Sequence, residues 1–279
     1  MDNKIREILI WGTKYLNNKK INSAYLDAEL LLSFVLKKSK EFLYTYPDFK
    51  LSNMQIENYK KFIQKRSKNY PIAYILGYKE FFGLKFFVSG DVLIPRPETE
   101  LLVEEVLKTY NLGGCQPRRL LEIGTGSGCI SIALSKNGVK NITATDISEK
   151  ALKIAHKNSK LNSIKNIKFV KSDLLKNLKN IKTDIIIANL PYLENNYKEK
   201  SIKYEPKSAL YSKDNGLYHY KKLFEEIKDL EYKPKYVFIE LNPEQFETLT
   251  HYIKNLFPKS KIETKKDLCG LLRVMIIKL

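Results

Sequence analysis

Cysteine is scarce in this sequence, with three among 279 residues, Cys115, Cys129 and Cys269. They are widely separated, odd in number, and show neither C-x-x-C spacing nor partnered histidines, so no disulfide framework and no metal site is expected. Apolar runs long enough to cross a bilayer are missing, although 43% of residues are hydrophobic. The start, Met1-Asp2-Asn3-Lys4, also lacks the cationic and apolar stretches of a secretory signal. These absences are read together as a cytoplasmic protein with no membrane partner. Arginine occurs only at positions 6, 66, 96, 118, 119 and 273, within a net charge of +18. Clustered cations bind phosphate backbones by releasing counterions, but bidentate reading of base edges favours arginine. Here the excess is lysine spread along the whole chain, the pattern an AT-biased coding sequence produces, and direct nucleic-acid binding is not required. The histidines His156, His219 and His251 fall on helical patterns and are read as surface or packing residues.

What is present divides by periodicity. From Ile5 to about Tyr70 apolar residues recur at helical spacing, as in Ile8, Trp11 and Tyr15, then Leu26, Leu30, Leu31, Phe34 and Val35. A small helical bundle is expected, with Asn53 as N-cap of a helix running to Lys65. Between Ile72 and Ile94 tyrosine and phenylalanine become dense and Gly77, Gly83 and Gly90 punctuate them, which suggests a hairpin or short strand pair. Beyond Glu98, strand and helix patterns alternate. Strands are expected at Leu120 to Ile123, Asn141 to Thr145, Ile167 to Val170, Asp184 to Ala188 and Tyr236 to Glu240, with two more near Lys261 and Leu272. The fold class is therefore α/β, a parallel sheet covered on both faces, with the apolar run ending at Ala188 as a central strand.

The sequence Glu122-Ile123-Gly124-Thr125-Gly126-Ser127-Gly128 closes one such strand and opens a helix, so its backbone can approach a ligand without Cβ interference. A dinucleotide fingerprint, G-x-G-x-x-G, requires glycine at 129, where the chain has Cys129. The E-x-G-x-G-x-G form instead resembles the cofactor loop of class I S-adenosylmethionine methyltransferases. Asp146 ends the next strand, where a carboxylate can accept both hydroxyls of a ribose; it could equally cap the helix after Ser148. Asp173 and Leu174 follow the third strand and are candidates for the adenine region.

Asn189-Leu190-Pro191-Tyr192 follows the central strand directly. An amide or exocyclic amine is a poor nucleophile because its lone pair is delocalised, and an enzyme can help by accepting hydrogen bonds from both N–H groups. The Asn189 side-chain oxygen and the Leu190 carbonyl are candidate acceptors. Pro191 restricts the conformation of Leu190, and Tyr192 offers a flat face to a planar acceptor. The tetrapeptide resembles the N-P-P-Y motif of methyltransferases that act on amide or amino nitrogens. Its N-L-P-Y form also occurs in ribosomal RNA adenine dimethyltransferases, so the tetrapeptide alone leaves a protein amide and a nucleic-acid amine both open.

The flanking segments narrow the choice. Pro71-Ile72-Ala73-Tyr74-Ile75-Leu76-Gly77-Tyr78-Lys79-Glu80-Phe81 and Ile94-Pro95-Arg96-Pro97-Glu98-Thr99-Glu100 resemble the region before the catalytic sheet in peptide chain release factor glutamine methyltransferases. So do Tyr204-Glu205-Pro206, Asp214 with Gly216-Leu217, and the ending Asp267-Leu268, Gly270 and Arg273. The resemblance implies a Rossmann-like class I methyltransferase domain over residues 96–279, a hairpin linker over 71–95, and a small helical substrate-recognition domain over 1–70. It implies a monomer that uses S-adenosylmethionine and takes class 1 release factors as partners, methylating the glutamine amide of their Gly-Gly-Gln loop. Gly124, Thr125, Gly126, Ser127, Gly128, Asp146, Leu174 and Asn189 would contact the cofactor, and Asn189, Leu190, Pro191 and Tyr192 would hold the glutamine. The family often has an aromatic residue where this chain has Leu174. The Arg96 segment would either close over the site or serve as a proline-stiffened connector. The competing function is an adenine N6-methyltransferase acting on ribosomal RNA or DNA.

Overall fold

A computed structural model of the chain describes residues 3–111, 118–178, 180–194, 197 and 200–279. Cys115 lies outside them, whereas Cys129 and Cys269 are free thiols. Among the described residues no helix is long and apolar enough to cross a membrane. The chain divides into two compact units, Met1–Gly77 with Lys198–Tyr204, and Tyr78–Tyr197 with Glu205–Leu279.

The first unit contains the helices α1 (Ile5–Asn18), α2 (Ala24–Leu36), α3 (Lys40–Thr45), α4 (Asn53–Arg66) and α5 (Ile72–Leu76). Ile5, Ile8, Leu9 and Leu16 form the buried stripe of α1 against Ala28, Leu31 and Leu32 of α2 and Tyr59 and Ile63 of α4. Close approach of α1 to α4 depends on Gly12, where a Cβ would lie 2.1 Å from the Tyr59 hydroxyl. That hydroxyl donates to the Ala28 carbonyl at 3.2 Å. Asp27, also buried, is paired with Arg66 at 2.6 Å. Two details differ from expectation. Ser52, not Asn53, caps α4, because Gln55 three residues on completes a reciprocal capping box with it. The stretch after Pro71 opens with α5, started by Pro71 and stopped by Gly77 at φ +79°, before any strand begins.

The second unit starts with a hairpin of β1 (Tyr78–Phe81) and β2 (Leu84–Phe87), whose turn places Gly83 at φ +69°. Next come α6 (Glu100–Asn111), β3 (Leu120–Ile123), α7 (Cys129–Lys136), β4 (Ile142–Asp146), α8 (Glu149–Leu161), β5 (Ile167–Lys171) and β6 (Ile185–Ala188). The remainder supplies α9 (Tyr218–Lys228), β7 (Tyr236–Glu240), α10 (Phe246–Leu256), β8 (Lys261–Lys266) and β9 (Leu272–Lys278). These strands form a seven-stranded sheet in the order β5-β4-β3-β6-β7-β9-β8. Neighbours from β5 to β7 are parallel, whereas β9 runs against both β7 and β8. The reversal departs from an all-parallel sheet because residues 267–271 form a tight turn, too short for a crossover helix. Asp267 organises it, accepting from the backbone N–H groups of Cys269 and Leu271 and from Arg273 Nε at 2.8 Å.

Strand alternation builds two cores. Leu121, Ile123, Ile186, Ala188, Val237 and Ile239 face α9 and α10 on one side. Leu120, Ile185, Ile187 and Phe238 face α6, α7 and the Phe81 and Phe86 rings of the hairpin on the other. The order also creates a switch point: from β3 the chain builds outward through β4 to β5, then returns to place β6 on the opposite flank of β3. Ligands of open α/β sheets lie in the crevice at the carboxyl ends of strands at such a point.

Candidate active site

The first wall comes from the loop after β3. Glu122 is buried, and its Oε2 accepts from Thr125 Oγ1 at 2.8 Å and from the Ser131 N–H and hydroxyl, which fastens the loop to the first turn of α7. Burial pushes its carboxyl up to about 7, against those hydrogen bonds. Gly124, Gly126 and Gly128 all have φ between +55° and +81°, a region open to glycine at little cost. Their surroundings differ. A Cβ on Gly126 would meet nothing within 4 Å, so the chain there borders open space. On Gly124 it would come to 3.0 Å from Leu190, and on Gly128 to 3.0 Å from Ile132 and 3.1 Å from Ala155. Gly124, Thr125, Gly126 and Ser127 line a single cleft within this unit; Gly128 is behind them, where its bare Cα lets α7 pack against α8.

Asp146, at the end of β4, lines the same cleft. Its Oδ2 accepts from Gly126 N and its Oδ1 from Ser148 N, each at 2.8 Å, so both oxygens are oriented while each keeps a further lone pair. The α8 cap is the Ser148 hydroxyl, which accepts from Ala151 N. Burial raises the Asp146 carboxyl above its ordinary value, and the backbone bonds oppose that. After β5, Leu174 is held in the left-handed region at φ +49°, a strained conformation for a leucine, and turns into the cleft wall. Asp173 also borders the cleft, but Lys176 at 2.5 Å and Lys222 at 3.2 Å already occupy its carboxylate. His219, expected from the sequence to be a surface or packing residue, belongs to this end of the cleft, and burial and Lys222 lower its pKa.

The adjoining wall follows β6. Asn189, Leu190 and Pro191 line the cleft, whereas Tyr192 turns away from it to pack against the α9–α10 core. Asn189 Nδ2 donates to Glu240 Oε2 at 3.0 Å and to Thr99 Oγ1 at 3.2 Å. With its nitrogen donating to both partners, the amide keeps its oxygen on the side away from Glu240. The Tyr192 hydroxyl donates to Glu240 Oε1 at 3.2 Å. Tyr220, wholly buried, accepts from Leu190 N at 3.0 Å and donates to the Glu240 carbonyl. Gln245 Nε2 donates to the Tyr192 carbonyl at 2.8 Å, over a floor that must be Gly216, where a Cβ would be 2.0 Å from the same carbonyl. Burial raises the Glu240 carboxyl, and the Thr99 and Tyr192 hydrogen bonds and the Arg273 charge pull it back.

The cleft between these walls opens to solvent and is lined by both polar and apolar groups. Segment 91–96 and residues Pro206, Ser208 and Ala209 complete it. The two are joined by Glu205, a buried carboxylate that takes Arg96 at 2.5 Å and Ile94 N at 3.0 Å. Its chemistry fits S-adenosylmethionine: an open glycine turn for close backbone approach, an oriented carboxylate with free lone pairs for a diol, and an apolar face at Leu174. Among the described residues no group of three or more His, Cys, Asp or Glu side chains is placed to hold a metal ion. Sequence reading missed Glu240, Thr99, Tyr220 and Gln245. The available signal was Glu240 itself, a lone acid closing the apolar strand Val237-Phe238-Ile239 next to β6.

A family model described as the PrmC N-terminal domain matches residues 7–77, and one for ribosomal protein L11 methyltransferase (PrmA) matches residues 97–191. The chain is 38% identical to the release factor glutamine methyltransferase of Coxiella burnetii, over 90% of each chain. It is also 38% identical to that of Dictyoglomus turgidum, over 99% of this chain and 98% of the other. Among solved structures, the hMettl16 catalytic domain in complex with a MAT2A 3′UTR hairpin superposes with a TM-score of 0.58 at 20% identity, over 71% of this chain and 76% of that one. That likeness speaks to the fold, a Rossmann-like methyltransferase sheet. Identity near two fifths along almost the whole length is a stronger relation, and by it the chain belongs to the release factor glutamine methyltransferases, enzymes that take their methyl group from S-adenosylmethionine.

Proposed function

We propose that this chain methylates the side-chain amide nitrogen of the glutamine in the Gly-Gly-Gln loop of class 1 peptide chain release factors, in the cytoplasm. The observation that carries the reading is the Asn189 amide, which donates to Glu240 and Thr99 and so leaves its oxygen for a ligand, at the tip of a central strand and beside the glycine loop. When bound, S-adenosylmethionine supplies an electrophilic methyl group on a sulfonium. Gly124 to Ser127 would lie along its backbone-facing side, Asp146 would accept from its ribose and Leu174 would cover its adenine. Asn189 Oδ1 and the Leu190 carbonyl would accept the two N–H bonds of the substrate carboxamide. Two such acceptors fix the nitrogen in place and draw positive charge toward themselves as it develops, which is where electrostatic preorganisation contributes most. Pro191 keeps the Leu190 carbonyl in an extended setting, and Tyr192 acts from behind through Glu240.

The test is incubation of the purified chain with methyl-labelled S-adenosylmethionine and a class 1 release factor. Labelling is expected, and is expected to vanish when the glutamine of Gly-Gly-Gln is changed to alanine; label that persists would contradict the assignment. Labelling of ribosomal RNA with none of the release factor would promote the adenine reading instead. The arginines give that alternative little support, since Arg6, Arg66, Arg96, Arg119 and Arg273 are all paired with carboxylates of this chain.

A further inference from the structure

Glu240 is tied to the tetrapeptide directly by its side chain and, through Tyr220, by its backbone carbonyl. It ends β7, beside the strand that carries the tetrapeptide, and is 2% exposed. One carboxylate oxygen accepts from Asn189 Nδ2 at 3.0 Å and the other from the Tyr192 hydroxyl at 3.2 Å. Its backbone carbonyl accepts from Tyr220, whose hydroxyl oxygen in turn accepts from Leu190 N at 3.0 Å. A carboxamide side chain is nearly symmetric in shape, so sterics alone do not decide which end faces a ligand; only its hydrogen-bond partners do. If the Asn189 amide turned over, its oxygen would face the Glu240 carboxylate in a buried setting, and an NH₂ group would confront the NH₂ of the substrate.

We propose that Glu240 is a positioning residue for methyl transfer: it sets the Asn189 amide with its oxygen toward the cleft and, through Tyr220, anchors the backbone that carries the Leu190 carbonyl. The inference rests on the amide-methylation reading above. It makes Glu240 the common support of both substrate-facing acceptors, with no contact of its own to the substrate.

The experiment compares Glu240→Leu, Glu240→Gln, Asn189→Ala and the double variant Glu240→Leu/Asn189→Ala in the full-length enzyme, with release factor and saturating S-adenosylmethionine. Glu240→Leu is expected to lower kcat about a hundredfold, the scale of a misoriented reacting group. Its affinity for S-adenosylhomocysteine, by isothermal titration, is expected to stay within about threefold, because the glycine loop and Asp146 are untouched. Glu240→Gln can still present an oxygen to Asn189 and its NH₂ to the Tyr192 oxygen, and is expected to remain within about tenfold of the parent. In the Asn189→Ala background there is no amide left to orient, so Glu240→Leu should add less than about threefold. Undiminished kcat in Glu240→Leu, loss of S-adenosylhomocysteine affinity in proportion to kcat, a glutamine variant no better than leucine, or additivity with Asn189→Ala would each overturn the proposal. A parent enzyme inactive on release factor would overturn the function and this inference with it. An active parent beside an unimpaired Glu240→Leu would overturn the inference alone. Should Glu240→Leu not fold, Tyr220→Phe decides: it removes the link between Leu190 N and the Glu240 carbonyl, and is expected to lower kcat about tenfold at unchanged cofactor affinity; unchanged kcat would overturn the proposal.

Discussion

Replacing Asp146 by alanine separates cofactor binding from chemistry. Its oxygens accept from the backbone N–H groups of Gly126 and Ser148, each at 2.8 Å, and the carboxylate lines the cleft where two ribose hydroxyls would donate to it. Hydrogen bonds to a charged group contribute about 1.5 kcal/mol each at the lower end of the usual range, so losing two costs about 3 kcal/mol. That corresponds to roughly a hundredfold rise in Kd. Alanine also leaves Gly126 N without its acceptor and loosens the turn, which acts in the same direction. The carboxylate belongs to the β4 side of the cleft, away from the Asn189 wall, so kcat at saturating cofactor should change by less than about threefold. Isothermal titration with S-adenosylhomocysteine gives the first quantity and initial rates on release factor the second. A variant that binds S-adenosylhomocysteine normally but turns over slowly would refute the assignment of Asp146 to the ribose.

Three further outcomes follow from the same geometry. Glu122 has its pKa raised from 4.5 to about 7, so the fold favours its protonated form; the associated stability is fully present below about 4.5 and is lost as pH rises through about 7, on the order of 3 kcal/mol. Glu122→Gln removes that titration, so urea unfolding should show the parent losing stability relative to the variant between pH 5 and pH 8, and a constant difference would contradict the protonation argument. Gly216→Ala drives a Cβ to within 2.0 Å of the Tyr192 carbonyl, and the displaced tetrapeptide should lower kcat by up to about a hundredfold while homocysteine binding persists; normal kcat would show that the tetrapeptide tolerates the shift. Gly12→Ala would place a Cβ 2.1 Å from the Tyr59 hydroxyl, so the buried ring must shift, and should destabilise the enzyme by about 2 kcal/mol, an overpacking cost, seen as a melting temperature a few degrees lower; an unchanged melt would mean α1 and α4 have slack.

Residues placed at strand tips were readable from spacing, because a parallel sheet delivers the ends of β3, β4 and β6 to one edge whatever the loops do. Gly124 to Ser127, Asp146, Leu174 and Asn189 therefore meet in one cleft as sequence spacing suggested. Gly128 and Tyr192 are adjacent in sequence to cleft residues but face the interior, which spacing cannot distinguish. The supports of the tetrapeptide were illegible for a different reason. Thr99 lies 90 positions before Asn189 and Glu240 lies 51 after it, and only the order of strands brings them together. Smaller departures did have local signals. Ser52 with Gln55 three residues on spells a capping box that starts one residue before Asn53, and Pro71 with Gly77 brackets a five-residue helix. The reversed strand β9 needed only a count of the residues between it and β8.

In the proposed reaction an amide nitrogen, gripped by the oxygens of Asn189 and Leu190, receives the methyl group. Fragment mass spectrometry of a class 1 release factor after reaction with the parent enzyme tests it most directly. A gain of one methylene unit is expected, confined to the side chain of the Gly-Gly-Gln glutamine and absent after reaction with Asn189→Ala. A gain on any other residue, or one that survives in the alanine variant at the parent's rate, would contradict it.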